Sequence, residues 1–245
     1  MCYIRSTLKG ISKARNVGIA AGNAPLVLFT DDDCRIDAEW VKAMVTELSD
    51  NGTWATFGRI LPERGDSCDA EYTIPGIDLA TKMSAERAIY ARNRFNLGFG
   101  HGANMGVRRE VLERLGGFDE ALGAGGPLRS WEDREFGYRV LRAGGRIIYN
   151  PAALVYHRQW RSWRAVLHAS RDYAIGAGAA AAKCLRSGDL GGIVLFADWL
   201  FEQGMRQVLS GLLKWQSVRK ITLGLMHLIY PWKGLYLGLR HRFTA

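Results

Sequence analysis

The stretch Ala24-Pro25-Leu26-Val27-Leu28-Phe29-Thr30-Asp31-Asp32-Asp33-Cys34 decides how this chain is read. Its apolar run, Leu26 to Phe29, follows a Gly-Asn-Ala-Pro turn. A short unbroken apolar run bounded by turn residues predicts a strand covered on both faces, as in a parallel sheet. The run leads into three consecutive aspartates, whose carboxylates repel one another. Side chains alternate along a strand, so Asp31 and Asp33 are expected on one side and Asp32 on the other. Paired carboxylates at the C-terminal edge of a parallel sheet lie where such sheets bind ligands. A hard divalent cation would relieve their repulsion. Two readings stay open: a metal and diphosphate site, or a solvated acidic turn before a helix that Asp37 caps.

Outward from this stretch, the chain alternates helix and strand patterns. Residues 9–22 predict a short helix with Ser12 as its cap and Gly22 as its stop. From Asp37 to Leu48, the apolar residues Trp40, Val41, Met44, Val45 and Leu48 recur at helical spacing. Thr53–Ile60 predicts a strand. Residues 61–95, broken by Pro62, Gly65, Pro75 and Gly76, predict a long excursion over the surface. The glycines of Gly98-Phe-Gly-His-Gly-Ala-Asn-Met-Gly106 let backbone approach a ligand closely. A helix over 109–115 follows, stopped by Gly116-Gly117. Ser130-Trp131-Glu132-Asp133 begins the next helix in a capping-box pattern, with Ser130 as N-cap and Asp133 at N3. Arg146–Tyr149 predicts a strand stopped by Pro151, and 154–157 a second extended piece ending at His157. A lone histidine there is more often a hydrogen-bonded core residue than a ligand.

The charge is unevenly placed. The 245 residues carry a net +9, yet residues 1–158 hold 21 Lys/Arg against 20 Asp/Glu. The remaining 87 residues hold 12 against 4. A basic C-terminal third predicts contact with an anionic surface, membrane or nucleic acid. Helical stretches are expected near 162–185, 189–216 and 218–240, the last interrupted at Pro231. Asp198, Glu202, Lys214 and Lys233 keep every apolar run short of the length that spans a bilayer. Trp199, Trp215, Trp232 and Tyr236 lie beside basic residues, which favours amphipathic helices on a membrane over plain packing with a solvated basic face. These aromatics sit among aliphatic residues and not in stacking patches, which points away from nucleic acid. The cysteines, Cys2, Cys34, Cys68 and Cys184, form no C-x-x-C pair, so neither a zinc site nor a disulfide framework is expected. Met1-Cys-Tyr-Ile-Arg5 lacks the apolar segment of a signal peptide.

The ordered pieces carry a resemblance. They are Gly10-Ile-Ser-Lys-Ala-Arg-Asn, Phe29-Thr-Asp-Asp-Asp, Gly102-Ala-Asn-Met, Leu115-Gly-Gly-Phe-Asp-Glu, Trp131-Glu-Asp-Arg-Glu-Phe and Tyr149-Asn-Pro-Ala-Ala-Leu-Val-Tyr-His. Over about residues 9–160 this series resembles the family-two glycosyltransferases, which have the GT-A fold. The resemblance implies an α/β, Rossmann-like mixed sheet flanked by helices over 1–160; the charge and periodicity above make 161–245 a helical, basic, amphipathic, membrane-associating region. It implies donor-binding residues Arg15, Asp31, Asp32 and Asp33, with Asp31 near the nucleotide ribose. Asp33 and His157 are the implied ligands of a divalent metal, Mg or Mn. Asp133 is the implied catalytic base, and His101, Asn104, Trp131 and Glu132 are the implied acceptor-side residues. The family pattern opens with a strand–helix–strand segment that this sequence lacks, so a chain missing that segment is expected.

The expected function is inverting transfer of a sugar from a nucleotide-sugar donor to a saccharide or lipid-linked acceptor. The expected setting is cell-surface polysaccharide or glycolipid synthesis, peripherally at the cytoplasmic face of the membrane and without nucleic acid. The alternatives are a nucleotidyltransferase, an inactive remnant, or a nucleic-acid-binding module built on the basic tail.

Overall fold

The computed structural model describes residues 3–63, 73–76, 83–214 and 216–243. Cys2, Gly65, Cys68 and Trp215 lie outside the described residues. The chain forms two compact units. One comprises Arg15–Phe118 and Asp133–Trp163, and the other Met1–Ala14, Asp119–Glu132 and Arg164–Ala245.

The first unit is built on a mixed sheet. Its strands are β1 (Leu26–Thr30), β2 (Cys34–Ile36), β3 (Thr53–Pro62), β5 (Ala88–Tyr90), β6 (Asn104–Arg108) and β7 (Arg146–His157). They lie in the order β1-β6-β3-β7-β2, and β5 also pairs with β7. Only β3 and β7 run parallel, and the other pairs are antiparallel. A separate two-stranded ribbon joins β4 (Ile74–Pro75) to β8 (Trp160–Arg161). The helices belonging to this unit are α2 (Trp40–Leu48), α3 (Arg109–Leu115), most of α1 (Ile11–Ala20) and, but for its first residue, α4 (Glu132–Arg142).

The apolar run of β1 is explained by cover on both faces. Val27 and Phe29 pack in the cluster of Phe57, Phe99, Met105 and Phe136, while Leu28 packs against Trp40, Met44 and Val155. Two expectations are corrected here. β1 pairs antiparallel with β6, and only Phe29 of its four apolar residues is fully buried. An unbroken apolar run reports two covered faces and carries no information on strand direction.

Pro151 does not end a strand. β7 continues from Arg146 to His157, with Asn150 opposite Gly58 and Leu154 opposite Arg59. Residues 151–153 are therefore a bulge, where a proline costs no ladder hydrogen bond. Asn104, wholly buried, holds it. Its Nδ2 donates to the carbonyls of Ala153 at 2.8 Å and Arg59 at 2.9 Å, and its Oδ1 accepts from Trp40 Nε1 at 2.8 Å. Gly58 leaves room for this arrangement, since a Cβ there would lie 2.1 Å from the Ala153 carbonyl oxygen. Asn104→Ala strands an indole N–H and takes a donor from two carbonyls. We expect it to cost about 3 kcal/mol, seen as a lower urea midpoint. A loss below about 1 kcal/mol would mean that the bulge holds itself.

The second unit is helical: α5 (Trp163–Arg186), α6 (Gly191–Trp199), a π turn (Leu200–Met205), α7 (Arg206–Leu213) and α8 (Val218–Arg240). α8 runs unbroken through Pro231. Its Gly234 and Gly238 meet the backbone of Ile175 and Ala179, and Gly178 of α5 meets the Pro231 carbonyl. Backbone-to-backbone packing of this kind supports a helix that lacks one internal N–H. Both serine caps are also corrected. Ser12 lies inside α1 and donates to the Leu122 carbonyl at 2.7 Å, while α4 starts at Glu132, one residue later than a Ser130 cap requires, and Ser130 donates to the Asp172 carbonyl at 3.0 Å.

Candidate active site

The aspartate triplet is a turn and not the end of a strand. Cys34 N–H donates to the Asp31 carbonyl at 3.2 Å, closing a tight turn between β1 and β2. The strand-alternation argument therefore does not apply. The turn leaves Asp32 exposed and turns Asp31 and Asp33 inward, each half-buried.

Pairing then fixes the neighbours of Asp33. Cys34 stands opposite His157 in the β2–β7 register, and Arg158 N–H donates to the Asp33 carbonyl at 2.9 Å. His157 is buried, its Nδ1 accepts from Gln159 N–H at 3.3 Å, and its Nε2 lies 3.6 Å from Asp33 Oδ1. Burial holds the imidazole below its ordinary value, against the pull of Asp33 and Asp31. Among the described residues, Asp33, Cys34 and His157 offer ligand atoms within 4.8 Å of one another. Burial pushes the Cys34 thiol up to about 11, so at neutral pH it is protonated.

Arg15 projects from α1. Its guanidinium lies 3.4 Å from Asp31 Oδ1 and stacks 5.4 Å from the Phe118 ring centroid. Burial pushes the Asp31 carboxyl up, Arg15 opposes this, and the charges of Asp33 and Asp133 add to the push. The fields of Arg15, Asp33, His157 and Asp133 thus all reach Asp31.

The Gly-rich loop connects Asp133 to this cluster. Gly102 N–H donates to Asp133 Oδ2 at 2.8 Å, and Arg134 N–H donates to Oδ1 at 2.7 Å. A Cβ on Gly102 would lie 2.7 Å from the Arg15 guanidinium, so the glycine lets arginine and aspartate approach the same backbone. His101 shapes the loop: its Nδ1 accepts from Ala103 N–H at 3.2 Å and its carbonyl from Asn104 N–H at 3.0 Å. Asn104 spends its amide on the bulge described above. Trp131 and Glu132 belong to the helical unit. There Trp131 adopts a φ of 82° and packs edge-on to Trp199 at 5.4 Å, and the Glu132 carboxylate lies against Gly123.

One residue of the site escaped the sequence reading. Gln159 Nε2 donates to Asp33 Oδ2 at 3.3 Å, while Arg161 holds Gln159 Oε1 from two nitrogens at 2.9 and 2.6 Å. Its place two residues beyond His157 was the available signal, because positions of like parity share a side along extended chain.

Comparison with known proteins bears on the family and the fold. The sequence model of glycosyl transferase family 2 matches residues 1–116. A pre-mycofactocin glycosyltransferase of Mycobacterium tuberculosis is 28% identical over 161 residues, covering 63% of this chain and 32% of the relative. A glucosyl-dolichyl phosphate glucuronosyltransferase of Haloferax volcanii is 26% identical over 158 residues, covering 61% of this chain and 48% of the relative. The chain thus spans a third to a half of the length of these relatives. Among solved structures, a mannosyltransferase from Pyrobaculum calidifontis in complex with GDP-Man and Mn2+ superposes with a TM-score of 0.54 at 18% identity. That match covers 94% of this chain and 67% of the other. Over residues 1–116 the chain is similar to glycosyl transferase family 2, and its sheet architecture is that of GT-A glycosyltransferase structures.

Proposed function

We propose that the chain transfers a sugar from a nucleotide-sugar to the hydroxyl of a saccharide or lipid-linked acceptor, with inversion at the anomeric carbon. The observation that carries this reading is the Asp33–His157 pair, 3.6 Å apart, beside Arg15 at 3.4 Å from Asp31, with Gly102 donating to Asp133 and lying against the Arg15 guanidinium. It joins the parts that such a transfer needs: a cation-binding edge, an arginine and a second carboxylate.

The donor set fits a divalent cation. Asp33 offers a carboxylate oxygen and His157 a neutral imidazole nitrogen, and the imidazole favours Mn2+ over Mg2+. A site with so few protein ligands is one that substrate phosphates complete. A divalent cation held by Asp33 and His157 would supply the positive charge that a leaving diphosphate needs. Arg15 adds a positive charge beside Asp31, and Gln159 and Arg161 keep the Asp33 carboxylate oriented. The two backbone N–H groups on Asp133 fix the orientation of its carboxylate. From there Asp133 takes the proton of the acceptor hydroxyl as its oxygen bonds to the anomeric carbon. The bond from that carbon to the diphosphate oxygen breaks, and its electron pair leaves with the nucleoside diphosphate. A single displacement inverts the configuration.

The proposed setting is cell-surface polysaccharide or glycolipid synthesis, peripherally at the cytoplasmic face of the membrane. Among the described residues no helix is long and apolar enough to cross a membrane. The test incubates the chain with UDP- and GDP-sugars and Mn2+ and analyses the released nucleotide. Free nucleoside diphosphate is the expected product. Pyrophosphate consumption or release would instead indicate a nucleotidyltransferase, and no turnover with any donor would indicate an inactive remnant.

A further inference from the structure

The helical unit carries a surface that the transfer chemistry does not use. α6, the π turn and α7 form one rod that packs along α8. Gly204 meets Leu228, Gly224 meets Val208, and Gly211 meets Ile221. As one series rises the other falls, so the rods are antiparallel. On each rod the residue after a contact residue is turned about 100° further round the helix. Those residues are Met205, Leu209 and Leu212 on one rod, and Leu225 and Ile229 on the other, all exposed. Equal rotations on antiparallel rods carry both rows to the same side. Phe201 extends the first row, and Trp232 and Tyr236 extend the second. The result is one exposed apolar face two helices wide, an arrangement that isolated surface residues do not produce.

The charge beside this face has one sign. Rotating one more residue along α8 reaches Arg219, Lys233 and Arg240, which follow the exposed Val218, Trp232 and Leu239. Seven Lys/Arg and no Asp/Glu occur after Glu202. An apolar face with a cationic rim complements the acyl–headgroup boundary of an anionic leaflet.

We propose that the α7–α8 face is the membrane-docking surface of this protein. It inserts Ile229 and Trp232 at the acyl boundary and sets Arg219, Lys233 and Arg240 among anionic headgroups. The inference deepens the peripheral-membrane reading above, and its test uses no sugar donor, so either can fail without the other.

The full chain is cosedimented with vesicles of phosphatidylcholine containing roughly a third phosphatidylglycerol, and with phosphatidylcholine alone, an anionic charge contrast sufficient to separate the two terms. We expect clear preference for the anionic vesicles and partial release by high salt. Replacing Arg219, Lys233 and Arg240 by Gln should weaken anionic binding about a hundredfold, roughly fivefold for each charge removed. The double variant Ile229→Ser, Trp232→Ser should lose binding to both vesicle types, with its helical circular dichroism unchanged. Salt release of the unaltered chain tests the charge argument even if a variant misfolds. Equal binding to both vesicle types without salt release would overturn the proposal. So would a chain that ignores vesicles and sediments as a dimer until Ile229→Asp separates it, because a second copy would then cover this face.

Discussion

Asp133→Asn is expected to lower turnover by about a thousandfold while nucleotide-sugar binding persists, as for loss of a general base. The substitution keeps size and planarity but removes the ability to accept a proton. The structure adds a stability cost. Asp133 accepts from two backbone N–H groups, Gly102 on Oδ2 and Arg134 on Oδ1. An asparagine has one oxygen and satisfies only one of them, so about 1–2 kcal/mol of stability should go as well. The two effects are separable. Turnover measured under saturating donor, on protein shown to be folded, reads the proton transfer, and urea denaturation reads the lost hydrogen bond. A variant that is destabilised yet keeps near-native turnover would make Asp133 a structural residue of the loop.

Asp33→Ala should abolish calorimetrically detectable Mn2+ binding and lower turnover by three orders of magnitude or so, as expected when several kcal/mol of charge stabilisation is lost. Asp32→Ala is the matched control. It removes the same charge one residue away, but from an exposed side chain on the outer side of the turn. If Mn2+ binding depends on the coordinating atom, Asp32→Ala leaves it nearly intact. If it depends on net acidity alone, the two variants weaken it equally, and the assignment of Asp33 as a ligand fails. His157 supplies the second check. Its Nε2 faces Asp33 Oδ1 at 3.6 Å, so His157→Ala should weaken Mn2+ binding without changing the acidic count.

The residue types and their order pointed to the site, while its local geometry came from elsewhere. Asp31, Asp33, Asp133 and His157 were singled out by motif, and alternation was expected to bring Asp31 and Asp33 together. They face inward because Cys34 closes a turn onto Asp31. Ser12 and Ser130 carried good capping signals, but the helices start at Ile11 and Glu132, and the two hydroxyls donate to carbonyls 110 and 42 residues away. A local pattern cannot show such partners. Pro151 and Pro231 were both given their usual breaking role. Each is tolerated through a remote contact: Asn104 ties the bulge that contains the first, and Gly178 packs against the second. Gln159 had no motif of its own and became visible only through Asp33 and Arg161. The helices of the second unit were the most legible elements, since three apolar stripes of helical period suffice to place them.

The bulge on β7 also sets a rule of parity for the chain's length. Residues 151–153 have no partner on β3, and pairing resumes with Leu154 opposite Arg59. Side chains along β7 alternate between the two faces of the sheet. If deleting a single residue from the bulge made the following flank slip by one against β3, the faces of everything from Leu154 onward would swap. His157 would then point away from Asp33, although every residue of the site would still be present in the sequence. A slip of two would restore its side. Substitutions at Ala152 are therefore expected to be far better tolerated than a change of one in the number of residues between Asn150 and Leu154. A one-residue frame slip at this spot separates chains that keep the ligand pair from chains that merely keep the letters.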